Sequence, residues 1–245
     1  MLVLALDTTT RTGSVAIVRD TRVLVERAGD PARTHAERLP QEILSLVGEA
    51  GVPLSAVDVF AVASGPGSFT GLRIGISTIQ GLAFASGRSV VPVSALEALA
   101  EWASGDLSSG RIVGVWTDAY RREVFSALYR VGDAAQYSPA RVAEIEGPTA
   151  GDPAATLARW AGQGRVPDLW VGDGAVLYAA AVGARGPVVP SPALSGAIGL
   201  MAAHPARAGA ASDPSRVQPL YVRRPDAELA RERRAGDDQS PRTRK

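Results

Sequence analysis

The stretch Ser64-Gly-Pro-Gly-Ser-Phe-Thr-Gly-Leu-Arg-Ile-Gly75 has residue types and spacing that suit anion binding. An apolar run, Val57 to Ala63, precedes it, and a helical pattern follows from Gly71. Strand, glycine loop and helix together turn backbone N–H groups toward an anion. Gly65 and Gly67 permit positive φ or close approach, Pro66 stiffens the turn, and Ser68 or Thr70 suits a helix cap. The P-loop requires a lysine after its last glycine, whereas here Arg73 stands two places beyond Gly71. The dinucleotide fingerprint requires a glycine where Thr70 stands. Two readings remain, a phosphate cradle and the plainer tight turn with a capped helix.

The helix after the loop is costly. Gly71, Gly75 and Thr78 share one side, Ser77, Gly81 and Ala85 another, and Leu72, Ile76, Ile79 and Ala83 form an apolar stripe. Each interior glycine costs about 1 kcal/mol relative to alanine. Something must approach closely, either the chain's own sheet or a helix from another subunit.

Other chemistries are narrowed by what the chain lacks. It has no cysteine, which removes disulfides, thiolate metal sites and thiol nucleophiles. Two histidines leave no Ser–His–Asp arrangement to argue. Two ligands on one helical face need His at i and i+4, yet four places after His35 stands Leu39, and His204 lies far along the chain. Lys245 is the only lysine, so no core Schiff-base or phosphate-clamping lysine exists. From Arg223 onward there are eight basic and five acidic residues, which leaves 18 basic and 20 acidic before it, net −2. Such a body is no obvious nucleic-acid binder. No long apolar run or signal peptide is seen, and a cytoplasmic location is expected.

The elements that would position these residues read as an α/β pattern. Leu2 to Leu6 is a continuous apolar run, as in a strand buried on both faces. The polar turn Asp7-Thr8-Thr9-Thr10-Arg11-Thr12-Gly13 follows, then strands at Val15–Val18 and Val23–Val25. Thr34-His35-Ala36-Glu37 fits a capping box for a helix with Leu39, Ile43, Leu46, Val47 and Ala50 on its apolar face. Pro40 should kink that helix or displace its first turn. After the glycine loop come a strand at Ser89–Val93 and a helix at Ser94–Ala103. The polar joint 104–110 is the expected boundary between two halves. The plan then restarts: Ile112 to Trp116, Asp118, a turn with Arg121 and Arg122, and Val124 to Tyr129. A helix near 154–161, a strand Leu169–Val171, the turn Gly172-Asp173-Gly174 and another helix complete a shared βββαβα order. As plain residues, Asp7 and Asp118 suit Asx-type turns, and Gly172-Asp-Gly174 suits a strand-to-helix turn.

Leu-Ala-Leu-Asp-Thr-Thr at the start, the 64–75 loop, the second hairpin with Asp118 and Gln-Pro-Leu-Tyr-Val-Arg near the end together resemble the bacterial TsaB (YeaZ) family of tRNA threonylcarbamoyladenosine biosynthesis proteins. The likeness is strongest over residues 1–130. It implies an actin-like fold of two ribonuclease-H-like halves, here 1–104 and 105–225. By its composition, the charged tail at 226–245 suits a short helix at 227–234 and disorder from 235 to 245. The resemblance also implies a noncatalytic scaffold and activator, partnered by the catalytic paralogue TsaD and the ATPase TsaE, with tRNA contacted through the complex. ATP and Mg²⁺ would serve the complex, with nucleotide at a shared interface. The paralogue's paired-histidine helix corresponds here to His35-Ala-Glu-Arg-Leu39, so no metal site is expected. The resemblance assigns the two N-terminal helices to partner binding, hence His35, Leu39, Ile43, Gly71, Gly75, Thr78 and Gly81, and to a homodimer when the chain is alone. In active actin-like phosphotransferases, hairpin carboxylates position Mg²⁺-bound water around phosphates. By that likeness Asp7, Thr8, Thr9, Asp118, Gly172 and Gly174 are candidate nucleotide-binding residues. The competing readings are an active ATP phosphotransferase of this fold and an M22-type glycopeptidase.

Overall fold

A computed structural model describes residues 1–223. The expectations for residues 226–245 fall outside them. The first sheet is built from β1 (Leu2–Asp7), β2 (Ser14–Arg19), β3 (Arg22–Ala28), β4 (Val59–Gly65) and β5 (Ser89–Ser94). The second is built from β6 (Ile112–Asp118), β7 (Val124–Val131), β8 (Val142–Gly151), β9 (Leu169–Val171) and β10 (Val188–Val189). The strand order is β3-β2-β1-β4-β5 in one and β8-β7-β6-β9-β10 in the other, so the same plan occurs twice. In each, an antiparallel hairpin supplies the centre and parallel strands extend one side. This duplicated order is the actin-like fold of two ribonuclease-H-like halves.

Three apolar layers hold the sheets. The helices α1 (His35–Glu49) and α2 (Phe69–Ser86) cover the outer face of the first sheet around Leu4, Leu6, Phe60 and Ile79. Between the sheets lie α3 (Ala95–Ala103) and α7 (Ser195–Arg207), with Val3, Ala61, Leu96, Val115 and Ile198 in one shared core. The outer face of the second sheet is covered by α4 (Pro153–Gly162), α5 (Asp173–Leu177) and α6 (Ala179–Val182). Trp116, Trp160 and Trp170 centre that layer, with ring centroids 4.9 to 6.1 Å apart. Every residue of β1 is buried because both its faces are covered, as its unbroken apolar run requires.

Local signals explain the helix ends. Thr34 and Glu37 form the capping box of α1, and the helix continues unbroken across Pro40, whose side lies exposed. Ser68, rather than Thr70, caps α2 by accepting from the Gly71 N–H. The strand β8 has no apolar alternation to announce it. It is an edge strand with Glu144, Glu146 and Pro148, which an edge tolerates.

The last helix, α7, returns to the first sheet. Gly199 lies so close to β2 that a Cβ there would sit 2.6 Å from Val18. It has no side-chain cap of its own. Instead Ser14 Oγ accepts from the N–H groups of Leu194 and Ser195, and Glu26 accepts from Gly196 N–H and Ser195 Oγ–H. Groups 169 to 181 residues away in sequence thus satisfy its first turn.

Across α3, Glu101 is 2 % exposed and accepts the Tyr137 N–H at 2.9 Å. Arg141 donates to the carbonyls of Ser104, Leu107 and Gly132, so the segment before β8 is fastened to the end of α3. Burial pushes the Glu101 carboxyl up from 4.5 to about 7. Its folded form therefore favours the proton. The stability it leaves intact below its unfolded value is lost as pH rises through about 7. Glu101→Gln is expected to be more stable than the wild type at pH 8 by on the order of 2 kcal/mol, and nearly equal at pH 4. Urea midpoints at the two pH values measure this, and an equal difference at both would refute it.

Candidate functional site

The two sheets bring their hairpin loops to one cleft of about 470 Å³. Asp7 ends β1 and Asp118 ends β6, and both reach its wall together with Thr9 and Asp173. Asp7 and Asp118 each close a backbone turn, while Asp173 bonds across to β6. Asp7 Oδ1 accepts from Thr9 N–H at 2.9 Å and Thr9 Oγ1 at 2.7 Å. Asp118 Oδ1 accepts from Tyr120 N–H at 2.8 Å. Asp173 Oδ1 accepts from the N–H groups of Asp118 and Gly174 at 3.0 and 2.8 Å. The Asp7 and Asp118 bonds are the Asx-type bonds that the residue types suggest. Asp173, which looks in the sequence like a helix cap alone, is the third acid of the cleft and ties β6 to α5.

The electrostatics oppose a free anion here. Burial raises the Asp7 carboxyl above its ordinary value, against the lowering by Thr9, and Asp173 adds repulsion. Burial likewise raises Asp173, with repulsion from Asp118. Arg11 is the one arginine on this wall. Among the described residues, no group of three or more His, Asp or Glu is placed to hold a metal ion. In each of the three acids Oδ1 is held by donors of the chain itself.

The other candidate nucleotide residues lie behind the wall. Thr8 is fully buried and turned toward α2. A Cβ at Gly172 would sit 1.9 Å from the Trp116 carbonyl oxygen, and one at Gly174 would sit 2.7 Å from Thr117. Both glycines exist for close backbone crossing under the second hairpin.

The glycine loop proves to be a packing device too. Gly67 crosses Thr9, where a Cβ would meet it at 2.6 Å, and Ser68 N–H donates to Thr9 O at 2.8 Å. The Gly71 N–H is engaged by Ser68 Oγ. Leu220 N–H reaches back to Ser64 O at 2.7 Å. These bonds inside the chain make the loop a tight turn with a capped helix.

The residues expected on a partner surface divide sharply. His35, Leu39 and Ile43 are buried beneath α1, at 7 %, 1 % and 3 % exposure. A Cβ at Gly71 would lie 2.2 Å from Thr8 O, and one at Gly75 would lie 2.1 Å from Thr8 Oγ1. These five therefore make contacts within the chain, because the apolar stripe of each helix faces its own sheet. Thr78 is half-buried and donates to Ile74 O, while Gly81 faces open space. The outer side of the pair carries Leu44 and Phe84, which sequence reading passes over because they fall off the apolar stripes.

His35 has a structural task. Its Nε2 lies 2.9 Å from Thr10 O, and its Nδ1 lies 2.7 Å from Arg38 Nη2. A neutral ring with the proton on Nε2 satisfies both. Burial, then the Arg38 charge, lowers its pKa and favours that form. Arg38, itself 2 % exposed, also bonds Thr12 O and pairs with Glu42. Together they pin the Asp7–Gly13 loop to α1. No sequence signal marks Arg38, since an arginine on a helix normally faces water.

A family model described as TsaD, tRNA N6-adenosine threonylcarbamoyltransferase, matches residues 29–169. An uncharacterised protein of Mycobacterium tuberculosis is 37% identical over 229 residues, 92% of this chain and 93% of its own length. The tRNA threonylcarbamoyladenosine biosynthesis protein TsaB of Haemophilus influenzae is 37% identical over 126 residues, 51% of this chain and 52% of its own. The solved structure of YeaZ from Pseudomonas aeruginosa superposes with a TM-score of 0.72 at 29% identity, covering 90% of this chain and 99% of that one. On these matches in sequence and in fold, the chain belongs to the TsaB (YeaZ) family.

Proposed function

We propose that this chain is a noncatalytic scaffold and activator in the formation of threonylcarbamoyladenosine on tRNA, beside a TsaD-type catalytic subunit. The names of its relatives supply the pathway. The observation that carries the noncatalytic role is the state of the cleft. Asp7 and Asp118 each serve a backbone turn, Asp173 ties β6 to α5, and both His35 ring nitrogens are bonded within the chain. A phosphotransferase needs a carboxylate free to act on a substrate proton or a metal. An M22-type glycopeptidase needs a metal-binding histidine pair, and here the second place is the buried Leu39.

In this reading TsaD and the ATPase TsaE complete the assembly, and ATP with Mg²⁺ serves those partners or an interface with them. The outer side of α1 and α2 around Leu44, Gly81 and Phe84 supplies the contact, and the same side pairs two copies when the chain is alone. The location is cytoplasmic. No described helix is long and apolar enough to cross a membrane.

Reconstitution tests the role. TsaD, TsaE, tRNA, threonine, bicarbonate and ATP are combined with and without this chain, and the modified nucleoside is counted. Omitting the chain is expected to reduce modification by about tenfold or more, and Asp7→Asn, which keeps the Oδ1 acceptor, should support the wild-type rate. Equal modification without the chain would sink the proposal. Loss with Asp7→Asn in a folded chain would make Asp7 a reacting group.

A further inference from the structure

A second cavity of about 280 Å³ lies between the tip of the β6–β7 hairpin and the first turns of α1 and α2. Arg11, Arg33 and Tyr120 stand in its wall. Its positive charge comes from the guanidinium groups. The helix heads are already capped, Thr34 accepting from Glu37 N–H and Ser68 from Gly71 N–H. Arg11 uses its Nε on Pro31 O, and Arg33 one Nη2 on Glu37 O. Among the described residues neither has a carboxylate in ion-pair range. Of the nearby acids, Glu37 accepts from the Thr34 N–H and hydroxyl and also feels the Arg33 charge, and Glu123 pairs with Arg223.

The aromatic side is equally open. Tyr120 is 58 % exposed. With Arg121 and Arg122 it forms three consecutive residues at φ between 54° and 64°, a conformation bulky residues rarely adopt. Beside the cavity, Phe69 stacks on Tyr221 at 5.1 Å, with the Arg73 guanidinium 4.0 Å over the Phe69 ring. Phe69 is thus engaged by its neighbours, and Arg11 and Arg33 beside the exposed Tyr120 supply what single-stranded nucleic acid requires, since phosphates need charge and unpaired bases need a surface to stack on. A duplex offers no unstacked base to Tyr120.

We propose that this groove binds a single-stranded RNA segment, with a phosphate against Arg11 and Arg33 and a base on Tyr120. The site deepens the role proposed above and rests on it for the identity of the RNA, because the chain itself would then touch the tRNA loop being modified.

The test uses the full chain and a labelled single-stranded RNA oligonucleotide, with fluorescence anisotropy at about 50 and 200 mM salt. The wild type should bind more tightly at the lower salt. Arg11→Ala with Arg33→Ala should weaken binding about tenfold and flatten the salt slope by roughly one. Tyr120→Ala should weaken it about fivefold or more, and Tyr120→Phe should retain it. Circular dichroism checks folding, and the Tyr120 pair answers the question if the double variant fails to fold. The proposal is overturned if the wild type does not bind RNA at the lower salt, or if the folded variants bind equally. It is also overturned if inorganic phosphate or ATP displaces the RNA at equal concentration, which marks a free-phosphate site. A chain that binds RNA here yet adds nothing to reconstituted modification would refute the subunit role and leave this site standing.

Discussion

Gly75→Leu is expected to lower the stability of the chain by about 3 kcal/mol or more, enough to leave much of it unfolded. The cause is internal. A Cβ at Gly75 would lie 2.1 Å from Thr8 Oγ1 and 3.1 Å from Thr8 Cβ and Cγ2. Thr8 is fully buried, and its Oγ1 has no hydrogen-bond partner, so rotating that hydroxyl relieves the shortest contact at little loss. The carbon contacts remain, and the rest of a leucine side chain finds no space between α2 and the first loop. Gly81→Leu is the control, since nothing lies within 4 Å of its Cβ position. It should fold and gain about 1 kcal/mol from helix propensity. Urea midpoints by circular dichroism decide both. A wild-type midpoint for Gly75→Leu would show that α2 and Thr8 are not in contact. A folded Gly81→Leu that still co-purifies with TsaD at full affinity would remove the proposed partner side.

Gly172→Ala should be comparably severe, by about 3 kcal/mol or more, through two separate costs. Gly172 has φ 123° and ψ 162°, a region that side chains strongly disfavour. Its Cβ would also fall 1.9 Å from the Trp116 carbonyl oxygen, a backbone atom that no rotamer change can move. Relief would require β6 to part from the start of α5, and Trp116 belongs to the three-tryptophan layer. The loss should therefore appear in tryptophan fluorescence as well as in the urea midpoint. Wild-type values in both would refute the crossing.

Much of the architecture is legible in the sequence because its signals are local. The unbroken run Leu2–Leu6, the Thr34–Glu37 box and the matched turns at Asp7 and Asp118 each act within a few residues. The edge strand β8 escapes because half-exposed residues need no apolar alternation. The return of α7 to the first sheet escapes because its partners, Ser14 and Glu26, are far away in sequence. The glycine helix shows the limit most clearly. A glycine that admits a neighbouring loop and one that admits another subunit look alike in a sequence. Only the position of Thr8 separates Gly71 and Gly75 from Gly81. The amphipathic logic that marks Leu39 and Ile43 as a contact face is sound, but the face meets the chain's own core.

The late return of α7 bears on how the chain is born. The first sheet has all five strands once residue 94 has been made, yet its inner face is closed in part by residues 195–207. A ribosome must add roughly another hundred residues, at 5–20 per second, before that cover arrives. Until then Val3, Ala5 and Val18 lack their final neighbours, and Glu26 lacks the helix start it will cap. The first half is thus synthesised early and completed last, so its exposure during translation is set by the time needed to make the second.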